Sequence, residues 1–274
     1  MMDMGNTGGR FIWYELATID VNAAKAFYTD VMGWGTAESS TADSVYTLFT
    51  AANTPVAGLT KLPAEALRTG ALAQWTGYVG VEDVDATVAR VKQLGGTVYI
   101  PPTDLPNVSR FSVIADPQRA TLVLVKGRER GQEEAGRGGV VGRVSWHELR
   151  TSGLETAFAF YNGLFGWEKA ETRSRPAGTY QNISVGTDTF GGMSIKPAEW
   201  PRSIWYYYFN VAGIEAAAKR VTANGGQVLY DPMTLPEGGR VIECLDPQGV
   251  PFALIDTQVN ISIGCYSPRN RHPK

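Results

Sequence analysis

The chain has few of the residues that usually mark an active centre. Its 274 residues include two histidines, His147 and His272, and two cysteines, Cys244 and Cys265. Two cysteines supply no disulfide framework, and such usage fits a reducing cytoplasm. Neither sign of charge is in excess: 25 basic against 27 acidic residues give a formal net charge of −2. That leaves no basic footprint for nucleic acid. No apolar run approaches the roughly 18 residues of a membrane span. The opening MMDMGNTGGR lacks the apolar core of a signal peptide. With 43% hydrophobic and 19% charged residues, the expectation is a soluble, globular, cytoplasmic protein with no nucleic-acid or membrane partner.

What the chain does have is a long internal repeat. WYELATIDVNAAKAFYTDVMGW from Trp13 returns as WHELRTSGLETAFAFYNGLFGW from Trp146, an offset of 133. Gly58-Leu59 and Pro63 return as Gly192-Met193 and Pro197 at 134. Trp75, Val81, Gly95-Gly96, Pro102, Leu105, Pro106 and Asp116-Pro117-Gln118 return at 130. A repeat this long fixes the architecture before any residue is interpreted. It predicts two homologous domains, residues 10–127 and 143–257, each with its own core. Between them, residues 128–142 are rich in glycine and charge and read as a flexible linker. Residues 258–274 form a tail outside the repeat.

Each domain also divides in two. Phe11–Thr18 alternates as a strand and is followed by a helix over 21–31, with Asp20 as its N-cap and Gly33 as its stop. Strands are predicted near 44–50 and 56–62. The second half opens with a strand over 75–81 and a helix over 84–94 capped by Asp83, then strands near 98–100, 111–116 and 121–125. The second domain repeats this order, with a helix near 154–164. The unit is strand, helix, then two or three strands, four times over.

These features resemble the vicinal oxygen chelate superfamily, which includes glyoxalase I, extradiol dioxygenases and bleomycin-resistance proteins. The matching residues are Leu16-x-x-x-Asp20, Ala26-Phe27-Tyr28, Gly33-Trp34, Val84-Asp85, Leu94-Gly95-Gly96 and Asp116-Pro117. In the second domain they are Phe160-Tyr161, Gly166-Trp167, Gly225-Gly226 and Asp246-Pro247-Gln248-Gly249. The resemblance covers nearly all of residues 10–257. It implies an α+β fold of two tandem domains, each a curved mixed sheet of paired βαβββ modules around a cavity, with helices outside. It does not choose a chemistry, because one fold hosts many sites.

The resemblance also implies where a divalent metal would sit: on the opening strand of each half and on the final strands. Those positions are Trp13, Thr76 and Val123 in the first domain, and Trp146, Tyr206 and Ala253 in the second. None is a conventional ligand. A slip of one residue would bring in His147, but its counterpart is Tyr14, so the repeat would not share it. A metal site, and any other cofactor, is therefore not expected. A Ser-His-Asp arrangement fails for the same reason, because the repeat places one histidine in one domain.

If Trp13 occupies the ligand position, strand alternation sends Trp13 and Glu15 into the cavity, with Trp146 and Glu148 as their copies. A carboxylate among aromatics has a desolvation cost and needs a partner or a task. Glu15 and Glu148 read either as polar anchors or general bases in two equivalent pockets, or as structural carboxylates bonded to a nearby group. Tyr206 and Tyr208 also face the cavity, with Thr76 and Tyr78 in their places in a more open first domain. Tyrosine-lined pockets suit flat organic ligands. Proline-rich loops at 101–106 and 231–236 precede Arg110 and Arg240. These arginines would meet an anionic ligand or the glutamate, or remain on the surface. His147 reads as a packed histidine on the helix side. Two functions remain: a metal-free binder of a small, aromatic or polar molecule, and a lyase, isomerase or dioxygenase using a metal or a glutamate base. The tandem copy is expected as a monomeric internal pseudo-dimer or as a homodimer.

Overall fold

The computed structural model describes residues 9–41, 44–68, 70–105, 109–127, 140–175, 178–235 and 238–256. Most of the linker, the C-terminal tail with Cys265 and His272, and Pro106 and Pro236 lie outside them. Two sheets account for most of the rest. In the first, β1 (Arg10–Thr18), β2 (Gly35–Thr41), β3 (Ser44–Ala51), β4 (Thr54–Lys61), β5 (Gln74–Val81), β6 (Thr97–Leu105), β7 (Ser109–Ala115) and β8 (Thr121–Lys126) are ordered β2-β3-β4-β1-β5-β8-β7-β6. β1 lies parallel to β4 and antiparallel to β5, and β5 lies parallel to β8. This is the mixed pattern of two half-modules joined edge to edge.

Helix α1 (Val21–Met32) begins where the Asp20 carboxylate accepts from the Ala23 amide at 3.0 Å, and ends at Gly33 in the left-handed region, φ 69°. A short α2 (Ala64–Arg68) precedes β5, and α3 (Val84–Gln93) starts from a matching Asp83 cap. The second domain repeats the plan with β9 (Val144–Thr151), α4 (Leu154–Phe165), β10 (Glu168–Arg175), β11 (Gly178–Val185), β12 (Asp188–Ile195), β13 (Ile204–Asn210), α5 (Ile214–Ala223), β14 (Gln227–Val228), β15 (Met233–Thr234), β16 (Arg240–Leu245) and β17 (Pro251–Asp256). Among the described residues no helix is long and apolar enough to cross a membrane.

Two expectations need correction. The proline-rich segment 101–105 is not a loop in the first domain; it completes β6. β6 is the outer strand of its sheet, where a proline sacrifices no ladder bond, and its pairing with β7 shifts register at Ile100 and Thr103. In the second domain the same stretch is reduced to the two-residue strands β14 and β15.

The domains also do not have separate cores. The helix-bearing faces of the two sheets turn toward each other, and one apolar cluster runs through both, from Phe27, Trp34 and Trp75 to Phe209 and Phe252. The repeated motifs hold this junction. Tyr28 Oη donates to Asp246 at 3.2 Å, and Tyr161 Oη donates to Asp116 at 3.1 Å. Trp34 Nε1 donates to the Gly142 carbonyl at 2.9 Å, and Trp167 Nε1 donates to that of Gly9 at 2.6 Å. The two tyrosine bonds cross from one domain to the other, and each tryptophan bond reaches the residue that leads into the other domain's opening strand. Phe-Tyr, Gly-Trp and Asp-Pro therefore recur because each domain uses them to grip its neighbour.

Candidate functional site

Alternation along the central strands leaves the opposite, concave face of each sheet for other work. In the first domain Trp13 and Glu15 of β1, Tyr46 of β3 and Tyr78 of β5 converge there. Tyr46 Oη donates to Glu15 Oε2 at 2.7 Å, Trp13 Nε1 lies 3.3 Å from Tyr46 Oη, and the Tyr78 hydroxyl stands near the same carboxylate. Gly58 on β4 makes this possible, since a Cβ there would fall 1.7 Å from Tyr46 Oη. Burial pushes the Glu15 carboxyl above its ordinary range, and the two tyrosine hydroxyls pull it only partly back.

The second domain carries the same set in Trp146, Glu148, Tyr180, Tyr208 and Gly192. Trp146 Nε1 donates to Tyr180 Oη at 2.7 Å, and Tyr208 Oη donates to Glu148 Oε2 at 2.5 Å. A Cβ on Gly192 would lie 2.2 Å from the Tyr180 ring. The pair Tyr46 and Tyr180 was missed in the sequence, although it repeats at the same offset of 134 as Gly58 and Gly192.

The two faces then diverge. Arg150 of β9 stands where the first domain has Ala17, and Glu243 of β16 where it has Val113. The Arg150 guanidinium forms a fork with both oxygens of Glu243, one arm at 2.9 Å, and reaches Glu148 Oε1 at 3.2 Å. Ser194 Oγ adds a bond to Glu148 at 2.7 Å. Tyr206 and Tyr208 do face the concave side, but they pack against Val241, Ala253 and Ile255 and fill it. Trp200 stacks on Tyr206 with ring planes 15° apart. The two concave faces are thus not equivalent: the second is packed with its own aromatic side chains where the first has Thr76 and Tyr78.

The first domain keeps open space. Tyr78, Leu105, Ser109, Phe111 and Val125 line a half-open pocket of about 80 Å³. Tyr78 belongs both to this wall and to the Glu15 cluster, and so connects the two.

Arg110 and Arg240 are not part of either site. Alternation puts Arg110 between the pocket residues Ser109 and Phe111 but on the other face. There it is bound to Asp85 of α3 at 2.6 and 2.9 Å and to Asp104 at 2.9 Å. Arg240 pairs with Glu215 of α5, the repeat equivalent of Asp85. Both arginines pin a helix start to its sheet.

His147 is turned away from the concave face into the junction between domains. Its Nδ1 faces the Phe190 carbonyl at 2.8 Å, which can only accept, so Nε2 accepts from Tyr14 Oη at 2.6 Å. Burial pushes its pKa down to about 4, so it is neutral at ordinary pH. The only cysteine among the described residues, Cys244, is buried with its thiol pushed up to about 12, which leaves it unreactive.

The resident metal of the resembled enzymes does not fit these side chains. The implied ligand positions hold Trp13, Thr76 and a buried Val123, and in the second copy Trp146, Tyr206 and a buried Ala253. Among the described residues no three His, Cys, Asp or Glu side chains gather as a metal would require. The nearest acidic pair, Glu148 and Glu243, already shares the Arg150 cation.

Comparison with known proteins agrees with this architecture. The model of the glyoxalase family, described as the Glyoxalase/Bleomycin resistance protein/Dioxygenase superfamily, matches residues 10–124 and 143–254. A Mycobacterium tuberculosis protein described as "Putative glyoxylase CFP32" is 32% identical over 246 residues, covering 89% of this chain and 93% of its own. "Anthracycline biosynthesis protein DnrV" of Streptomyces peucetius is 31% identical over 257 residues, covering 89% and 92%. Among solved structures, the 2,3-dioxygenase LapB of Pseudomonas sp. KL28 superposes with a TM-score of 0.64 over 98% of both chains, at 14% identity, a likeness of fold. The chain belongs to the glyoxalase/bleomycin resistance protein/dioxygenase superfamily as a member with two tandem domains.

Proposed function

We propose that the chain binds a flat, hydroxylated aromatic molecule in the pocket of the first domain, without a divalent metal, and that Glu15 is its polar anchor. The observation that carries this reading is the contrast between the two glutamates. Glu148 is paired with a guanidinium and enclosed, whereas Glu15 is held by the Tyr46 hydroxyl with no counter-charge, next to Tyr78, which also walls the open pocket. Aromatic and aliphatic walls with one half-buried acceptor nearby suit a ring bearing a hydroxyl. The relatives described as anthracycline biosynthesis proteins give the same direction, since anthracyclines are flat, hydroxylated ring systems.

The test uses a dihydroxyanthraquinone as probe, followed by quenching of tryptophan fluorescence. Binding of one probe per chain is expected, weakened about tenfold by Glu15→Gln, the cost of roughly one lost charge-assisted hydrogen bond. Glu148→Gln should leave it unchanged. Equal weakening by both variants would remove the assignment to the first domain. Elemental analysis of protein purified without chelator tests the other half, and stoichiometric zinc, iron, nickel or manganese would contradict it.

A second reading is proton transfer, favoured by the raised proton affinity of Glu15. A carboxylate poised in this way can take a proton from an acidic C–H of a bound ring ketone, leaving the electron pair as the enolate, and then return it. Deuterium uptake from solvent at the methylene of anthrone measures this step. It should be faster with the protein than without it, and the acceleration should vanish in Glu15→Gln.

A further inference from the structure

We infer that the concave face of the second domain is a guanidinium-recognition cage whose resident ligand is the chain's own Arg150. The side chain lies 4.5 Å from the centre of the Tyr206 ring and 5.6 Å from that of Trp200. Its edge is met by the fork of Glu243 and by Glu148 Oε1. Both carboxylates are buried, and Arg150 itself is 14% exposed. Aromatic faces on a planar cation and paired carboxylates on its N–H edge are what a protein assembles to select guanidinium over other cations. Two carboxylates against one guanidinium leave the cage acidic, so it continues to demand a cation.

Tyr206 gives an independent sign of the same design. Its hydroxyl is buried without a hydrogen-bond partner, a cost that a phenylalanine would avoid. The contact that Tyr206 does make is through its ring, which lies over the Arg150 guanidinium. The first domain has none of this chemistry, with Ala17, Val113 and Thr76 in place of Arg150, Glu243 and Tyr206.

The inference is independent of what the first domain binds. It is tested on the full chain by thermal unfolding, with methylguanidinium chloride as the probe and methylammonium chloride as the control. Arg150→Ala should unfold about 6–12 °C below the wild type, because it strands two buried carboxylates. At about 20 mM, methylguanidinium should return about 2–4 °C of that loss by filling the vacated cage. Methylammonium, lacking the planar fork, should return much less, and the occupied wild type should gain nothing. Equal responses to the two cations, or an equal gain in the wild type, would overturn the inference.

Should Arg150→Ala fail to fold, Arg150→Met keeps the bulk and allows a second reading. Glu243→Gln should lower the unfolding temperature when Arg150 is present. Combined with Arg150→Met it should raise that temperature, because an unpaired buried carboxylate is then being removed. The same sign in both backgrounds would mean that Glu243 does not serve the cation.

Discussion

Tyr46 Oη donates to Glu15 Oε2 across 2.7 Å, and the repeat-equivalent glutamate of the second domain, Glu148, is additionally paired with a guanidinium. There the equivalent tyrosine, Tyr180, is met by Trp146, while Glu148 is bonded by Tyr208, Ser194 and Arg150. One strand position has therefore acquired two electrostatic fates. A buried carboxylate paired with a guanidinium belongs to the scaffold. A carboxylate held by neutral hydroxyls has a desolvation cost with no counter-charge, which functional sites tolerate and scaffolds tend to lose.

Tyr206→Phe should be neutral or stabilising by up to about 1 kcal/mol, because it removes a buried hydroxyl that lacks a partner and keeps the ring over Arg150. Chemical denaturation checks this. Tyr207→Phe is the control and should cost about 1 kcal/mol or more, because it strands the Gly77 amide that now donates to Tyr207 Oη at 2.6 Å.

His147 should stay neutral down to about pH 4, observable as an imidazole titration by NMR. Its folded pKa is depressed below the unfolded value. The stability linked to it is therefore complete above about pH 6.5 and is lost as pH falls toward 4, roughly 3 kcal/mol in all. An imidazole that titrates near 6.5 would mean that the junction between domains admits water.

Residues 1–127 made alone should give no cooperatively unfolding monomer. Without the second domain, Phe27, Tyr28, Trp34 and Trp75 lose Phe252 and Phe209 as neighbours, and the buried Asp116 loses the Tyr161 hydroxyl. Calorimetry and sedimentation of that half would decide. A stable monomer would show that the shared cluster is dispensable.

Much of this was legible in the chain. The repeat set the tandem architecture, the Asp20 and Asp83 caps placed two helices, and alternation put Trp13 and Glu15 opposite Tyr14. What was not legible depends on register and on differences. Tyr46 joins the site only because β4 brings Gly58 beneath it, and nothing within β3 encodes that neighbour. Arg150 escaped notice because comparing copies for what they share discards a residue whose counterpart is Ala17. The sequence leaves Arg110 and Arg240 open between an anionic ligand, the glutamate and the surface, because neither Asp85 nor Glu215 is near its arginine in the chain. Alternation along β7 turns Arg110 to the helix side, where Asp85 holds it. The docking role of Phe-Tyr and Asp-Pro was hidden because each partner lies in the other copy.

The central claim is that Glu15 is held for a task and Glu148 for the fold, and paired stability measurements test it without any ligand. Glu15 has its carboxyl raised by burial. Its contribution to stability is therefore full below the unfolded glutamate pKa of about 4.3 and is lost as pH rises through the folded value. Glu15→Gln should accordingly raise the unfolding temperature at pH 7 to 8, with the gain vanishing near pH 4. Glu148→Gln should lower it by the equivalent of roughly 3 kcal/mol, since it breaks a buried pair with Arg150. Opposite signs at neutral pH are the predicted result. A loss of stability in both variants would contradict the account and make Glu15 a structural carboxylate like its copy.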